Sequence, residues 1–310
     1  MTKPITLFTA TSGLNTKADP VELALDFETG VAELAKATNV SISDKGRPGL
    51  RQGFTGKQTG EFHSLYCDRG PCFVVQDRAN DSAIMQVAAD FSLSGVRSTL
   101  AKGRRVAFKQ DDAVTYYSNG VENGVIVGGV SSLWPDQTNH VGPETSRVFF
   151  PAPRGSHLEI AHGRMWIIEK DVLWYSEPYA YGKFNKAQCY IGLQTEGRMV
   201  RGVKGGLWVS DEQSLWFYEG TNPADMVPIR KAVYPALEWS DAIETIDAQS
   251  YGFEFSPGQS VVLCTTEGLC VCGPAGEFKN IAEDKIIHPD SVTTGATLIR
   301  GGNAIHSIWC

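Results

Sequence analysis

The sequence predicts an all-β protein, because helical periodicity is scarce, strand-like runs are short, and a glycine-led pattern recurs along the chain. Apolar residues reach helical spacing only near Val31, Leu34 and Ala35, so at most one short helix is expected there. After Asn39 nearly every segment is a short apolar run bounded by Gly, Pro, Asn or Asp. These features together indicate strands and turns throughout the chain.

The recurring pattern is Gly-x-x-apolar-apolar, which opens strand-like runs at Gly70, Gly103, Gly163, Gly205, Gly258 and Gly301. Successive intervals range from 33 residues after Gly70 to 60 residues after Gly103, and they scatter about the roughly 40–50 residues of a propeller blade. Several runs continue through a polar turn into a second, aromatic strand, as hairpins do. We therefore predict one six-bladed β-propeller over residues 1–310. A pair of β-sandwiches or a distorted barrel is the alternative, since this hairpin pattern also occurs there.

The last unit lacks a hairpin partner, because the chain ends at Cys310 soon after the Gly301 run. A propeller can complete its last blade with the N-terminal strand, and residues 5–8 are the predicted closing strand. Such closure hides sheet edges. The longest interval contains four prolines, so an inserted loop is predicted at about residues 130–155.

The composition excludes several classes of protein. No apolar run approaches the roughly 20 residues that span a bilayer, and the N-terminus lacks a signal-peptide pattern. We expect no membrane association and folding in a cytosol. The formal net charge of −7 argues against a protein that grips nucleic acid, since such proteins neutralise phosphates with a basic face.

Seven cysteines without a regular framework favour reduced thiols. Cys67 and Cys72 flank a short turn; a disulfide is conceivable there, but two half-buried thiols are favoured. Cys270 and Cys272 should share one strand face and pack in the core. No second pair stands at zinc-ligand spacing, so no metal site is predicted.

No catalytic constellation is recognised, and we expect neither enzymatic activity nor a cofactor. His157 and His162 belong to no metal-binding helix motif, and hydrolase elbows and phosphate-binding loops are absent from the sequence. The segment from Ser210 to Trp216 distantly resembles the Asp-box turn of sialidase propellers, which keeps a propeller glycoside hydrolase or a lectin as the alternative function. Aromatic residues recur in the hairpins, and we expect them to pack between blades: Trp166, Trp174, Tyr175, Trp208, Trp216 and Tyr218.

One segment resembles a known family. Residues 37–54 are similar to the N-terminal segment of tailed-bacteriophage neck and tail-nozzle propellers, a resemblance carried by Asn39, Val40, Ile42, Asp44, Gly46, Arg51, Gly53 and Phe54. Residues 162–167, 173–179 and 205–210 are similar to central blades of the same group. The resemblance implies a structural virion protein, a nozzle or stopper ring, that forms part of the conduit for retention and ejection of double-stranded DNA.

The resemblance also implies partners and a location. Copies are expected to self-associate into a ring, as a hexamer, and to contact a portal or adaptor ring and other tail proteins. Double-stranded DNA would pass without specific binding. The protein would be assembled in the host cytoplasm and reside in the tail or neck of the virion.

Four arginines are the candidate contacts between subunits or rings: Arg47, Arg51, Arg104 and Arg105. Arg47 and Arg51 stand in a segment rich in turn residues, where Gly46, Pro48 and Gly49 predict a sharp hairpin that brings two short strands to a blade. Docking against an acidic face of a neighbour and a solvated hairpin tip are equally compatible with this sequence.

Overall fold

The computed structural model describes residues 10–23, 25–26, 30–38, 40–43, 45–50, 55–68, 70–136, 140–141, 148–246, 254–281, 283–286, 294–300 and 303–309. Strands dominate these residues, and their one helical segment is a 3₁₀ turn at Pro223–Asp225. None of their helices has the length and apolar character required to cross a membrane. The all-β prediction is confirmed.

Five antiparallel sheets of four strands, here named blades 1 to 5, follow one another along the chain. Blade 1 contains β6 (Glu61–Tyr66), β7 (Cys72–Asp77), β8 (Ser82–Val87) and β9 (Leu93–Leu100). Blade 2 contains β10 (Ala107–Asp111), β11 (Val114–Ser118), β12 (Asn123–Val127) and β13 (Val130–Ser132). Blade 3 contains β16 (His157–Ala161), β17 (Arg164–Glu169), β18 (Val172–Tyr175) and β19 (Tyr190–Gly192). Blade 4 contains β20 (Gly197–Val203), β21 (Gly206–Asp211), β22 (Leu215–Glu219) and β23 (Val227–Ala232). Blade 5 contains β24 (Ala242–Glu244), β25 (Ser260–Thr265), β26 (Gly268–Cys272) and β27 (Phe278–Asn280).

These blades form a β-propeller. Within each blade the strands pair in sequence order, and the first strands of blades 2, 3 and 4 contact one another. Apolar clusters join blade 1 to blade 2, blade 2 to blade 3, blade 3 to blade 4, and blade 4 to blade 5. First strands therefore surround an axis, while successive sheets pack face to face.

The aromatic side chains of the hairpins fill the spaces between blades, as predicted. Trp166 and Trp208 are fully buried, in the clusters that join blade 3 to blade 4 and blade 4 to blade 5. Tyr218 belongs to the first of these clusters, and Tyr175 and Trp216 pack against it. Trp174 packs between blades 2 and 3. Because these rings are used for packing, they do not form an open sugar-stacking platform.

A sixth unit follows blade 5 as a two-stranded hairpin of β28 (Thr294–Arg300) and β29 (Asn303–Trp309). The expectation that the last unit lacks a hairpin partner is therefore wrong, because the partner strand β28 precedes the Gly301 run in the chain. This hairpin contacts β24 and β25, and Gly295 lies against Leu237, Ser240 and Cys264. Its position next to blade 5 fits the expected sixth blade. The predicted closing strand, residues 5–8, lies outside the described residues.

Two small sheets precede the blades. Strands β1 (Ala10–Leu14), β2 (Leu25–Asp26) and β3 (Val31–Leu34) form one of them. The segment at Val31, where at most one short helix was expected, is a strand: pairing with β1 and β2 overrides a weak local helical pattern. This sheet is anchored to the segment that follows blade 5, because Lys285 forms an ion pair with Glu33 at 3.0 Å and its carbonyl accepts a hydrogen bond from the Thr16 amide.

The second small sheet is a hairpin of β4 (Val40–Ile42) and β5 (Pro48–Leu50). The predicted sharp turn is present, and Gly46 within it has a φ of 71°, which favours glycine. The two strands pair only with each other among the described residues and do not join a four-stranded blade. Instead the turn docks on β1, where the Thr11 amide donates to the Gly46 carbonyl at 2.7 Å.

The glycine pattern marks the second strand of a blade at Gly70, Gly163, Gly205 and Gly258. Gly103 differs, because it precedes β10, the first strand of blade 2. The hairpin turn that follows β10 contains Asp112, which adopts a φ of 51°. The uneven intervals around Gly103 thus arise because Asp112 replaces the expected glycine at that turn.

The residues predicted as an inserted loop contain regular structure. Val130–Ser132 is the outer strand β13 of blade 2. A two-stranded hairpin follows, with β14 (His140–Val141) and β15 (Val148–Phe149). Trp134 is 1% exposed in this connection, and its indole donates to the Tyr181 carbonyl at 3.0 Å. The connection between blades 2 and 3 is therefore packed onto the propeller.

Cys67 and Cys72 form a disulfide, with Cα atoms 4.4 Å apart. The expectation of reduced thiols at this pair is wrong, because the β6–β7 hairpin places the two residues opposite each other at a separation that a disulfide accepts. Four other cysteines of the described residues are buried, namely Cys189, Cys264, Cys270 and Cys272. Cys270 and Cys272 share one core cluster, as predicted.

The turn from Ser210 to Trp216 has a structural role in blade 4. Asp211 is 1% exposed and accepts hydrogen bonds from the Gln213 and Ser214 amides at 2.9 and 2.8 Å. It also accepts from the Trp216 indole at 3.1 Å. One buried carboxylate thus holds the β21–β22 hairpin.

Replacing Asp211 by alanine should destabilise the fold by about 3 kcal/mol, because several buried donors lose their acceptor. Chemical denaturation measures the loss. Glu212→Ala is the matched control, since that side chain is 47% exposed and lies 3.6 Å from Arg198; its effect should stay within about 1 kcal/mol. Equal effects of the two changes would contradict the assigned role of Asp211.

Candidate axial site

Four charged side chains form a continuous chain of ion pairs near the propeller axis, here named the axial ion chain: Lys109, Glu159, Arg201 and Asp241. The Lys109 ammonium lies 2.8 Å from Oε2 of Glu159, and Nη1 of Arg201 lies 3.1 Å from the same oxygen. Nε of Arg201 donates to Oδ2 of Asp241. The axial ion chain thus links blades 2, 3, 4 and 5 in order.

Strand alternation explains why these charges meet. Lys109, Glu159 and Arg201 lie on the first strands β10, β16 and β20, and Asp241 directly precedes β24. The residue before each strand-borne charge is buried between blades: Phe108, Leu158 and Val200. Because successive residues of a strand point to opposite faces, the next side chain is directed toward the following blade, where its ion-pair partner lies.

The electrostatics of the axial ion chain are those of a buried network. The carboxylate side chains of Glu159 and Asp241 are only 4% and 2% exposed. Burial lowers the pKa of Lys109, although the Glu159 charge opposes this shift. Burial also acts to lower the pKa of Arg201, but the charges of Asp241 and Glu159 outweigh it and raise that pKa. The guanidinium of Arg201 therefore stays charged. The attraction between opposite charges offsets the cost of burying them.

A cavity of about 530 Å³ adjoins the axial ion chain. Its wall combines residues from all five blades or the segments before them, among them Phe62, Tyr66, Arg105, His157, Arg201 and Trp239. The His157 ring stacks on Trp239 with centroids 4.4 Å apart and an interplanar angle of 20°. The cavity thus has aromatic walls with charged groups at one side.

His157 is 5% exposed. Its Nδ1 lies 2.9 Å from the Ser156 hydroxyl, whereas its buried Nε2 has no hydrogen-bond partner among the described residues. Burial lowers the pKa of His157 to about 4, and the Arg201 charge adds to this effect while Asp241 opposes it. The ring is therefore neutral near pH 7.

The structure separates the four arginines singled out from the sequence. Arg105 lines the axial cavity, and Arg104 is exposed beside it. Arg47 is exposed at the β4–β5 turn and does not line the cavity. Arg51 lies outside the described residues. The four do not form one described patch.

Sequence reasoning missed the axial ion chain. Its members are far apart in sequence, and each looks like an ordinary surface charge in a half-buried strand. The available signal was a charge directly after a strongly apolar residue in the first strand of several blades, which becomes visible only when the blades are aligned correctly. Within the described residues no cluster of three metal-ligating side chains is present.

Glu159→Gln should destabilise the protein by about 3–5 kcal/mol, because it leaves Lys109 and Arg201 buried without their shared carboxylate. Urea denaturation measures the change in unfolding free energy. The exposed pair of Glu212 and Arg198 offers the control: Glu212→Gln should cost less than about 1 kcal/mol. A Glu159→Gln loss no larger than this control would show that the axial ion chain is energetically unimportant.

The lowered pKa of His157 predicts a stability change in acid. Between pH 6.5, the usual histidine pKa, and about 4, the unfolded chain binds a proton that the folded chain does not. Stability should therefore fall as pH falls through this window, by up to about 3 kcal/mol. Denaturation measured across this pH range should show a shallower slope in His157→Phe.

His162→Gln serves as the matched control for that experiment. His162 lies in the β16–β17 turn, with Nε2 3.2 Å from the Gly206 carbonyl, and His157 remains intact in this variant. Its stability should follow the wild-type pH slope. An unchanged slope in His157→Phe would contradict the assignment.

No family model matches the chain, and no curated protein matches it. Among solved structures it is similar to a putative 6-phosphogluconolactonase from Bacteroides fragilis, with 10% identity over 81% of this chain and 78% of that chain and a TM-score of 0.48. It is similar to Sqt1 of Saccharomyces cerevisiae, with 12% identity over 72% and 62% and a TM-score of 0.38. The WD40 β-propeller domain of Doa1 is 8% identical over 72% and 69%, with a TM-score of 0.39. Because these TM-scores are below 0.5, the propeller assignment rests on the sheet order and the packing between blades.

Proposed function

We propose that this protein is a structural component of a tailed-phage neck or tail, in which several copies form a ring around the path of double-stranded DNA. The sequence resemblance of residues 37–54 supports the phage context. The axial ion chain supports a structural role, because it fastens four consecutive blades and commits their inward-facing charges to one another.

The axis of the single propeller is not the DNA path in this proposal. Lys109, Glu159 and Arg201 meet there through direct contacts, so side chains occupy the space that a duplex would need. A channel enclosed by several propellers in cyclic symmetry is the alternative geometry. We propose a hexamer stacked against a portal or adaptor ring, with the exposed Arg47 and Arg104 as candidate protein contacts.

The net charge of −7 fits a wall along which DNA slides. Each phosphate neutralised by Lys or Arg adds affinity that must be broken as the next segment arrives. An acidic ring would repel the duplex and keep it centred. Transient passage without specific binding is therefore the proposed relation to DNA.

The geometry gives a glycoside hydrolase less support. Such enzymes need two carboxylic groups at a set separation, with one acting as an acid and the other as a base or nucleophile. Glu159 and Asp241 are the buried carboxylates near the cavity, and both are bonded to Arg201. Their arrangement suits fastening of blades.

Electron microscopy of purified virions should place the protein as a ring at the neck or tail. Particles assembled without it should package DNA and then lose it or fail to deliver it, because the conduit is incomplete. Location at a fibre tip, or absence from particles, would refute the proposal.

The purified protein provides the control measurement. Near 0.15 M salt, where exposed charges are screened beyond about 8 Å, it should show no appreciable affinity for duplex DNA. Tight, salt-sensitive binding would indicate a protein that grips DNA and would contradict the sliding wall.

A further inference from the structure

The axial cavity has the dimensions and wall chemistry of a small-molecule site, and this observation is independent of ring formation. Its volume of about 530 Å³ falls within the roughly 300–1,000 Å³ of ligand pockets. Phe62, Tyr66 and Trp239 provide aromatic surface, and Arg105 provides a cation. Ligand pockets combine such apolar walls with a few polar anchors.

His157 contributes the face of its ring to this wall. The ring stacks on Trp239, and the contact of Nδ1 with Ser156 fixes its orientation. Its Nε2 has essentially no solvent-accessible surface, so the protein encloses this atom and it is not a ligand anchor. His157 and Trp239 therefore give the wall a fixed aromatic surface.

The backbone of the wall is also unusual. Ser64 and Trp239 both line the cavity, and their φ angles of 53° and 64° lie in the left-handed region. This conformation is disfavoured for a bulky residue such as tryptophan, and such residues cluster at binding sites. The conformation of Trp239 places its ring against His157.

The charges define the ligand class. Glu159 and Asp241 are committed to the cations of the axial ion chain. Arg105, by contrast, has no hydrogen bond or ion pair among the described residues. Burial raises the pKa of Glu238, and the charge of Arg105 acts against that shift from a distance. A guanidinium without a partner can pair with a carboxylate, and the aromatic walls beside it can stack on a flat apolar group.

We propose that the axial cavity binds a small organic monocarboxylate with a flat apolar body. Arg105 pairs with the carboxylate, and the body packs against Trp239 and its aromatic neighbours. This site does not depend on the phage role, so either can fail without the other.

Benzoate is the probe, and benzyl alcohol is its neutral counterpart. Isothermal titration of the full chain at neutral pH, supported by ligand-observed NMR, should show saturable one-to-one binding of benzoate. Benzyl alcohol should bind at least about tenfold more weakly, because it cannot form the charge-assisted pair. Absence of saturable benzoate binding at millimolar concentration, as expected if water alone fills the cavity, would overturn the proposal.

Adjacent arginines give a matched pair of variants. Arg105→Gln should raise the dissociation constant for benzoate about tenfold or more, whereas Arg104→Gln should leave it unchanged. Both side chains are exposed, so neither change threatens the fold. Equal effects of the two changes would overturn the assignment, because non-specific attraction by surface charge would then explain binding.

His157→Phe tests the aromatic wall. This change keeps an aromatic ring against Trp239, so benzoate should bind about as tightly as to the wild type while unfolding at neutral pH stays cooperative. A loss of benzoate binding in a variant that still unfolds cooperatively would contradict the assigned wall. If His157→Phe does not fold, the two arginine variants still decide the question. Saturable binding of neutral sugars with no preference for benzoate would overturn the proposal in favour of a lectin.

Discussion

Glu159 is the residue on which the arrangement of the blades depends most directly. Its carboxylate receives Lys109 from the preceding blade and Arg201 from the following blade, and Arg201 in turn holds Asp241 before blade 5. Apolar packing between blades supplies bulk stabilisation, yet it tolerates small changes in angle. Charged groups that meet at fixed positions tolerate such changes less, so the axial ion chain constrains how blades 2 to 5 are placed relative to one another.

A buried ionic network is an expensive way to stabilise a fold, since each charge loses hydration. Here the loss is offset because every described member has an opposite charge within reach, and Glu159 also accepts the Ile160 amide. Charges inside the network are committed to the scaffold, whereas the exposed Arg105 beside it forms no ion pair among the described residues.

Local features of the sequence predicted the blades, because a hairpin is built from neighbouring residues. Glycines before second strands and aromatic residues within hairpins were sufficient for this purpose. Features that depend on residues far apart in the sequence are predicted less well. Gly103 precedes the first strand of its blade whereas the other glycines precede the second, because Asp112 occupies the equivalent turn. The cysteine pattern likewise favours reduced thiols where Cys67 and Cys72 form a disulfide. The axial ion chain requires four residues from separate blades to converge, and no single segment contains that information.

The outer strands of the blades limit the ways in which copies of this protein can associate. β23 carries Pro228, Arg230 and Lys231, and β9 carries Gly95 and Arg97. Proline removes a backbone donor, and positive charges repel a second edge of the same kind. Extension of a sheet from one copy into the next is therefore disfavoured at these edges. Copies that met at these two edges would have to use side-chain contacts, and the edges are protected from the open-ended backbone pairing that builds fibrils.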